Sequence, residues 1–409
     1  MNGVPELHDM KSPLPQFKHD IGRVQYLFVL ALMFLSFFVL VIGRSFFYFR
    51  IRQVFIIILP FSIAYVATPV ACWLSHKLNI LDKPDYRKVH KSPTPLLGGL
   101  VIYLAFGIGA MSSLWYSFEL KGVVYAASMI FFLGLADDIF GLSSVFRLAV
   151  QLIAVFVLFY HGLEVDFIPD YTRYHVLEKF VTIIWVIGIT NAVNFLDGLD
   201  GLCSGYGAIA SLFFGIVAFL TKQYFLMFLA FSLTGSCFGF LPWNFRRHEP
   251  ARIFLGDSGS LFIGFTLASF ALMGEWAENN VAALTVPLLI LFLPMYDTSM
   301  TTFFRVRDGS VRTVRQWLDF VGKDHFHHRL YSIGIGKRNA VWGIYTLSLM
   351  LGISAVIVRT GGTLEAYLAL MQASVVLIVF TVLIVDIRKK YDVYEKQSNS
   401  VSVSEDGER

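Results

Sequence analysis

The chain has 409 residues, 56% of them hydrophobic and only 15% charged, with a formal net charge of +4 and a mean hydropathy of +0.64. A soluble domain of ordinary composition carries about 25% charged residues, so that class is excluded. The net charge says little by itself, and its distribution says more; no nucleic-acid partner is expected.

Apolar runs of about 20 residues recur, the length that crosses a hydrocarbon core of about 30 Å at 1.5 Å per residue. Twelve runs read as spans: 24–43, 54–75, 97–115, 121–136, 146–163, 179–196, 203–221, 224–241, 258–275, 282–304, 339–359 and 366–386. This predicts an all-α, polytopic integral membrane protein with about 11–12 transmembrane helices and catalytic loops on the cytoplasmic side. The run 24–43 is long for a signal peptide and lacks a small-x-small cleavage site before Arg44, so it reads as an uncleaved anchor. The expected organisation is an N-terminal cytoplasmic tail with an extra span (1–53), a membrane domain (54–386) and a flexible cytoplasmic tail (387–409).

With the N-terminus inside, most of the 33 Lys and Arg fall in cytoplasmic segments, as the positive-inside rule requires. The segments rich in polar residues, Gly and Pro (82–99, 137–147, 191–202, 242–260 and 297–330) then share that face. Cys72, Cys203 and Cys237 have no CxxC spacing and read as small buried hydrophobes.

In chain order, DKPDYRKVHKSPTPLLGG (82–99) offers Arg87, Lys88, His90 and Lys91 to a polyphosphate. Thr94-Pro95 and Gly98-Gly99 shape the approach to the third span; as plain topology, the cations would only orient the loop. Asp137 and Asp138 end the fourth span. Adjacent helical positions point in different directions, so the two acids suit two tasks, among them binding a hard cation and taking a proton from a nucleophile. A carboxylate pair at a helix C-terminus opposes the macrodipole, which makes a merely solvated helix end less comfortable.

In NAVNFLDGLDGL (191–202), Asn194, Asp197 and Asp200 stand three apart. On a continuous helix that spacing would converge them on one face. FLGDSGS (254–260) sets Asp257 between glycines and hydroxyls, suited to Mg²⁺ and diphosphate oxygens, or else to capping the next helix. Phe254 could stack on a base. Last, DHFHHR (324–329) holds three histidines in four residues, after Arg305, Arg307, Arg312 and Arg315. No zinc spacing completes the cluster, so a cationic cradle for phosphate fits better. Carboxylates for a cation, cations for phosphate and a lipid setting point to phosphoryl transfer at a membrane surface. A Walker GxxxxGK[ST] is absent from the sequence, so ATP hydrolysis is not supported.

The motifs RKVHKSPTP..GG, ADD, NAVNFLDGLDGL, FLGDSGS and D-H-x-H-H, in this order over 54–386, resemble those of the polyprenyl-phosphate N-acetylhexosamine-1-phosphate transferases. The resemblance implies transfer of a sugar-1-phosphate from a UDP-sugar to a polyprenyl (undecaprenyl) phosphate, releasing UMP, with Mg²⁺ (or Mn²⁺) as cofactor. It implies a site in the plasma membrane facing the cytoplasm, and a homodimer as the family expectation. Carried over, Asp257 and Asn194 would hold the metal. Asp137, Asp138, Asp257, His325, His327 and His328 become the catalytic set, with Asp137 near the lipid phosphate. Lys91, Thr94, Asn194, Asp197, Asp200, Phe254 and Arg305 become substrate-binding residues.

The HFHHRL reading is nearer the branch using UDP-GlcNAc than the branch using UDP-MurNAc-pentapeptide, which typically shows a P-x-H-H-H run. VRTVRQWLDFVGK (311–323) does not obviously match the family's usual Pro/Ser-rich stretch before the histidines. An ion-coupled transporter is the reading from another class; it would place its acids near the midplane of interrupted helices, often in a repeat.

Overall fold

The computed structural model describes residues 23–42, 49–83, 93–112, 117–165, 175–247, 249–313, 316, 325, 329–330 and 335–382. Its helices are α1 (Arg23–Ile42), α2 (Phe49–Lys77), α3 (Gly98–Ser112), α4 (Phe118–Phe140), α5 (Ser144–Tyr160), α6 (His175–Phe195) and α7 (Leu202–Leu220). They continue as α8 (Tyr224–Asn244), α9 (Gly256–Met273), α10 (Asn280–Ile290), α11 (Phe292–Arg307), α12 (Lys337–Val358) and α13 (Thr363–Val382). Among the described residues the sole sheet is a clip of two short antiparallel strands, β1 (Leu81–Asp82) and β2 (Thr94–Pro95), with Asp82 opposite Thr94. The chain is an all-α, multi-pass membrane protein.

Each of the twelve apolar runs contains helix, but not every helix is span-length. Eight among the described residues are long and apolar enough to cross a membrane, or nine if α10 and α11 count as one span. The described part of α1, α3 and α5 are shorter. At 1.5 Å per residue a 15-residue α3 reaches only about 22 Å. The run 282–304 is the one that breaks, bending by 73° between α10 and α11. Pro294 explains the break: it has no N–H to give the carbonyl of Ile290. That freed carbonyl accepts the Tyr206 hydroxyl instead, at 3.3 Å, so this backbone oxygen is not stranded in the apolar interior.

The centre of the bundle is α7, α8 and α9, whose sides are apolar all round and largely buried. α2 and α3 pack on α8, α4 and α6 pack on α9, and α12 packs on α7. Lipid tails are as apolar as these side chains, so close packing has to supply the adhesion. The α2–α8 seam shows how. A Cβ added at Gly235 would lie 2.2 Å from the carbonyl oxygen of Ile57, and one at Gly239 2.2 Å from that of Phe61. Two glycines four residues apart therefore let two backbones touch. Cys203 and Cys237 are buried and Cys72 half-buried, all as free thiols.

Gly235→Leu is expected to lower the thermal midpoint of the detergent-purified protein sharply, since overpacking of a tight contact costs about 1–3 kcal/mol or more. Gly107→Ala, inside α3 where an added Cβ meets nothing within 4 Å, is expected to hold or slightly raise it, Ala being the better helix former.

Candidate active site

One end of the bundle gathers the polar motifs, and the geometry begins at the close of α4. Gly141, in the left-handed region at φ +65°, caps the helix by donating its N–H to the Asp137 carbonyl. The two acids before it diverge as adjacent helical positions must. Asp138 turns to the start of α9, where its carboxylate accepts the N–H of Asp257 at 2.8 Å and of Ser258 at 3.0 Å. Those are among the donors that a helix start leaves without an internal partner. They also carry the positive end of the macrodipole, so an anion is stabilised there. The cap of α9 thus comes from another helix rather than from its own Asp257.

The approach needs glycines at two points. Gly256 sits at φ +74°, and a Cβ there would lie 2.6 Å from the Asp138 carboxylate. A Cβ at Gly134 would lie 2.5 Å from the Asp257 carbonyl oxygen.

Asp137 turns the other way and is buried. It accepts the Leu142 N–H at 2.6 Å and the Arg147 guanidinium at 2.7 Å. The same Arg147 Nη1 lies 3.6 Å from Oδ2 of Asp257. The other oxygen of Asp257 accepts Nδ2 of Asn194 at 2.8 Å, and that nitrogen also reaches the Ser260 hydroxyl at 2.8 Å. Asp257 is therefore gripped between α5 and α6 while its own helix start is held by α4.

The three polar groups of 191–202 do not share one face, because α6 ends at Phe195 and the helical spacing ends with it. Asn194 faces Asp257. Asp200 accepts the Ala251 N–H at 3.0 Å and ties this turn to the α8–α9 loop. Asp197 lies between them, and its carboxyl is pushed well above the usual range by burial and then by the fields of Asp257, Asp138 and Asp200. Asn244 fastens the same turn, accepting the Gly201 N–H at 2.9 Å and donating to the Ile253 carbonyl at 2.9 Å.

The 94–99 segment joins the site through backbone bonds. Phe254 donates to the Pro95 carbonyl at 2.8 Å, and Gly98 and Gly99 donate to the carbonyls of Phe254 and Leu255 at 3.1 and 2.8 Å. Thr94 is buried in this clip and the Phe254 ring is half-buried. From the other side comes α11, which buries Asp297, Thr301 and Arg305 at four-residue intervals. Oδ2 of Asp297 lies 3.1 Å from Nδ1 of His325, and the His325 ring lies 5.2 Å from that of Phe195. This links the histidine segment to the end of α6. Lys91, His327 and His328, with Arg87, Lys88, His90 and Arg315, lie outside the described residues.

Sequence reasoning missed Arg147, Asp297 and Asn244. Arg147 reads as a topology cation in an amphipathic helix, and Asn244 as the polar end of a span. Asp297 did carry a signal, an acid inside the apolar run FLPMYDT. Among the described residues no three His, Cys, Asp or Glu side chains gather as a ready metal cage.

The description glycosyl transferase family 4 fits residues 120–275, the stretch that supplies Asp137, Asp138, Asn194, Asp197 and Asp257. The chain is 30% identical over 316 residues to a probable undecaprenyl-phosphate N-acetylglucosaminyl 1-phosphate transferase of Bacillus subtilis strain 168, covering 76% of this chain and 86% of that protein. It is 34% identical over 322 residues to a decaprenyl-phosphate N-acetylglucosaminephosphotransferase of Mycobacterium leprae, covering 69% and 78%. A phospho-N-acetylmuramoyl-pentapeptide-transferase of Clostridium botulinum, strain Alaska E43, is 27% identical over 314 residues, covering 72% and 93%.

Asp138→Asn turns one acceptor oxygen into a donor and leaves one N–H at the start of α9 facing it. Loss of a buried partner costs about 1–3 kcal/mol, so the variant is expected to be less stable. Hydrogen exchange should be faster at the amides of Asp257 and Ser258. Asp200→Asn keeps the one acceptor its single bond to Ala251 needs, and is expected to leave both measurements near wild type.

Proposed function

The chain belongs to the polyprenyl-phosphate N-acetylhexosamine-1-phosphate transferases, in the N-acetylglucosamine branch, and on that premise we propose how it acts. It transfers N-acetylglucosamine-1-phosphate from UDP-GlcNAc to a polyprenyl phosphate such as undecaprenyl phosphate. An oxygen of the lipid phosphate attacks the sugar-bearing phosphorus of the UDP-sugar. One P–O–P bond forms, the other breaks, and UMP leaves with the electron pair. The product is a lipid-diphosphate sugar, the first membrane-bound intermediate of a cell-surface polysaccharide. The site faces the cytoplasm, the side on which the Lys and Arg concentrate.

The observation that carries the reading is Asp257, held between Arg147 and Asn194 on a helix start capped by Asp138. Its surroundings fit a hard divalent cation. Burial first, and then the fields of Asp257, Asp138 and Asp200, push the Asp197 carboxyl well above the usual range. Asp257 and Asp197 offer oxygen for Mg²⁺, which suits that ion's preference. Asn194 would reach the metal through Oδ1, its nitrogen being engaged by Asp257 and Ser260. Bound there, Mg²⁺ supplies neutralisation of charge on the diphosphate oxygens.

The chain's own groups do the rest. Arg147 adds a fixed positive charge beside Asp137, where the lipid phosphate approaches. Asp297 lies 3.1 Å from Nδ1 of His325 and would orient its ring toward the phosphate or sugar. Phe254, anchored by its backbone to Pro95 and Gly98, would offer its ring to the uracil.

Purified protein in detergent is expected to release UMP from UDP-GlcNAc only when polyprenyl phosphate and Mg²⁺ are both present. A preference for UDP-MurNAc-pentapeptide in the same panel would move the assignment to the branch of the Clostridium relative. Asp257→Asn should abolish release without unfolding the protein. Asp297→Asn should lower kcat roughly tenfold to a hundredfold, the usual effect of removing a group that orients a working histidine.

A further inference from the structure

In the lipid-crossing part of the bundle, α5 and α6 are joined by a reciprocal amide pair. Nδ2 of Asn191 donates to Oε1 of Gln151 at 2.8 Å, and Nε2 of Gln151 donates to Oδ1 of Asn191 at 3.3 Å. Asn191 is braced on its own helix by a bond to the Ile187 carbonyl at 2.8 Å. Gln151 is 2% exposed. The other residues that α5 buries are Ala154, Val155 and Leu158, with no polar group among them. Aliphatic contacts of that kind leave a helix free to slide or turn against its neighbour in lipid, whereas two opposed amides define one register.

That register has a consequence one helical turn away. Gln151 is four residues after Arg147, so both project from one side of α5. Asn191 is three residues before Asn194, so both project from one side of α6. Arg147 and Asn194 are the two groups that grip Asp257 from opposite sides, at 3.6 and 2.8 Å.

We propose that the Gln151–Asn191 pair is a positioning clamp, fixing α5 against α6 so that Arg147 stays within reach of Asp137 and Asp257 during turnover. The inference rests on the transferase reading above. The pair touches no reacting atom and acts through Arg147. Breaking it leaves Arg147 in place chemically but lets its helix drift, and a charge displaced from a developing phosphoryl charge weakens the transition state more than the bound ground state.

A double-mutant cycle on UMP release, read well below the unfolding temperature, tests it. Gln151→Leu is expected to lower kcat roughly tenfold with the KM for UDP-GlcNAc within about threefold of wild type. Combined with Arg147→Ala it should cost no more than Arg147→Ala alone. The exchange Gln151→Asn with Asn191→Gln, which keeps both amides, should restore kcat to within about threefold. Independent, multiplying losses in the cycle would overturn the proposal, as would unchanged kcat in folded Gln151→Leu or an exchange no better than the single variants. A wild-type protein inert toward every UDP-sugar would overturn the transferase reading instead. The clamp would then be read from spin-label distances between α5 and α6, broadened by Gln151→Leu if it holds and unchanged if it does not.

Discussion

A carboxylate at the end of one helix closing on the start of another is the constraint the site depends on. Asp138 takes two donors that α9 cannot satisfy itself, and in doing so it settles a liability at its own helix end, where a negative charge opposes the dipole. Both ends are costly alone and favourable together. The glycines at 134 and 256 exist in that light: each removes a Cβ from the place where the other helix must come. With α9 held there, Asp257 has one position relative to α4, and the 94–99 segment is bonded to the backbone just ahead of it.

The electrostatics follow from that placement. Four acids (Asp137, Asp138, Asp197 and Asp257) share one end of a low-dielectric bundle, and each has a different answer to its charge. Asp137 has Arg147, Asp138 has backbone donors, and Asp257 has the Asn194 amide with Arg147 further off. Asp197 sits at the turn beyond α6, in the fields of Asp257, Asp138 and Asp200. Such a set of fixed charges suits differential stabilisation of charge in a transition state. On the far wall, Asp297 and His325 repeat the same device of an acid fixing a partner, this time between α11 and the histidine segment that follows it.

Much of this was legible in the sequence because membrane proteins write their spans in hydropathy and their sites in the polar residues that interrupt it. All twelve apolar runs contain helix, and Asp137, Asp138, Asn194 and Asp257 could be picked out by type and position before any geometry. Where the reading stopped, a tertiary cause was at work. The convergence of Asn194, Asp197 and Asp200 assumed a helix that ends at Phe195. The partner of Asp138 lies 119 residues away, and no local pattern could supply it. Arg147 looks like any basic residue near a membrane boundary until the bundle brings Asp257 to it. α5 is offset from its apolar run because Ser143 caps a start two residues before it and the chain leaves the helix at His161.

The central claim is that this assembly exists to hold Asp257 where it can bind a divalent cation beside the two phosphates. Mn²⁺ can stand in for Mg²⁺ and be seen directly, by electron paramagnetic resonance of the purified protein titrated in the presence of UDP-GlcNAc. The account predicts a bound Mn²⁺ signal in the wild type that is lost in Asp257→Asn and weakened in Asp138→Asn. Equal binding by wild type and Asp257→Asn would contradict it.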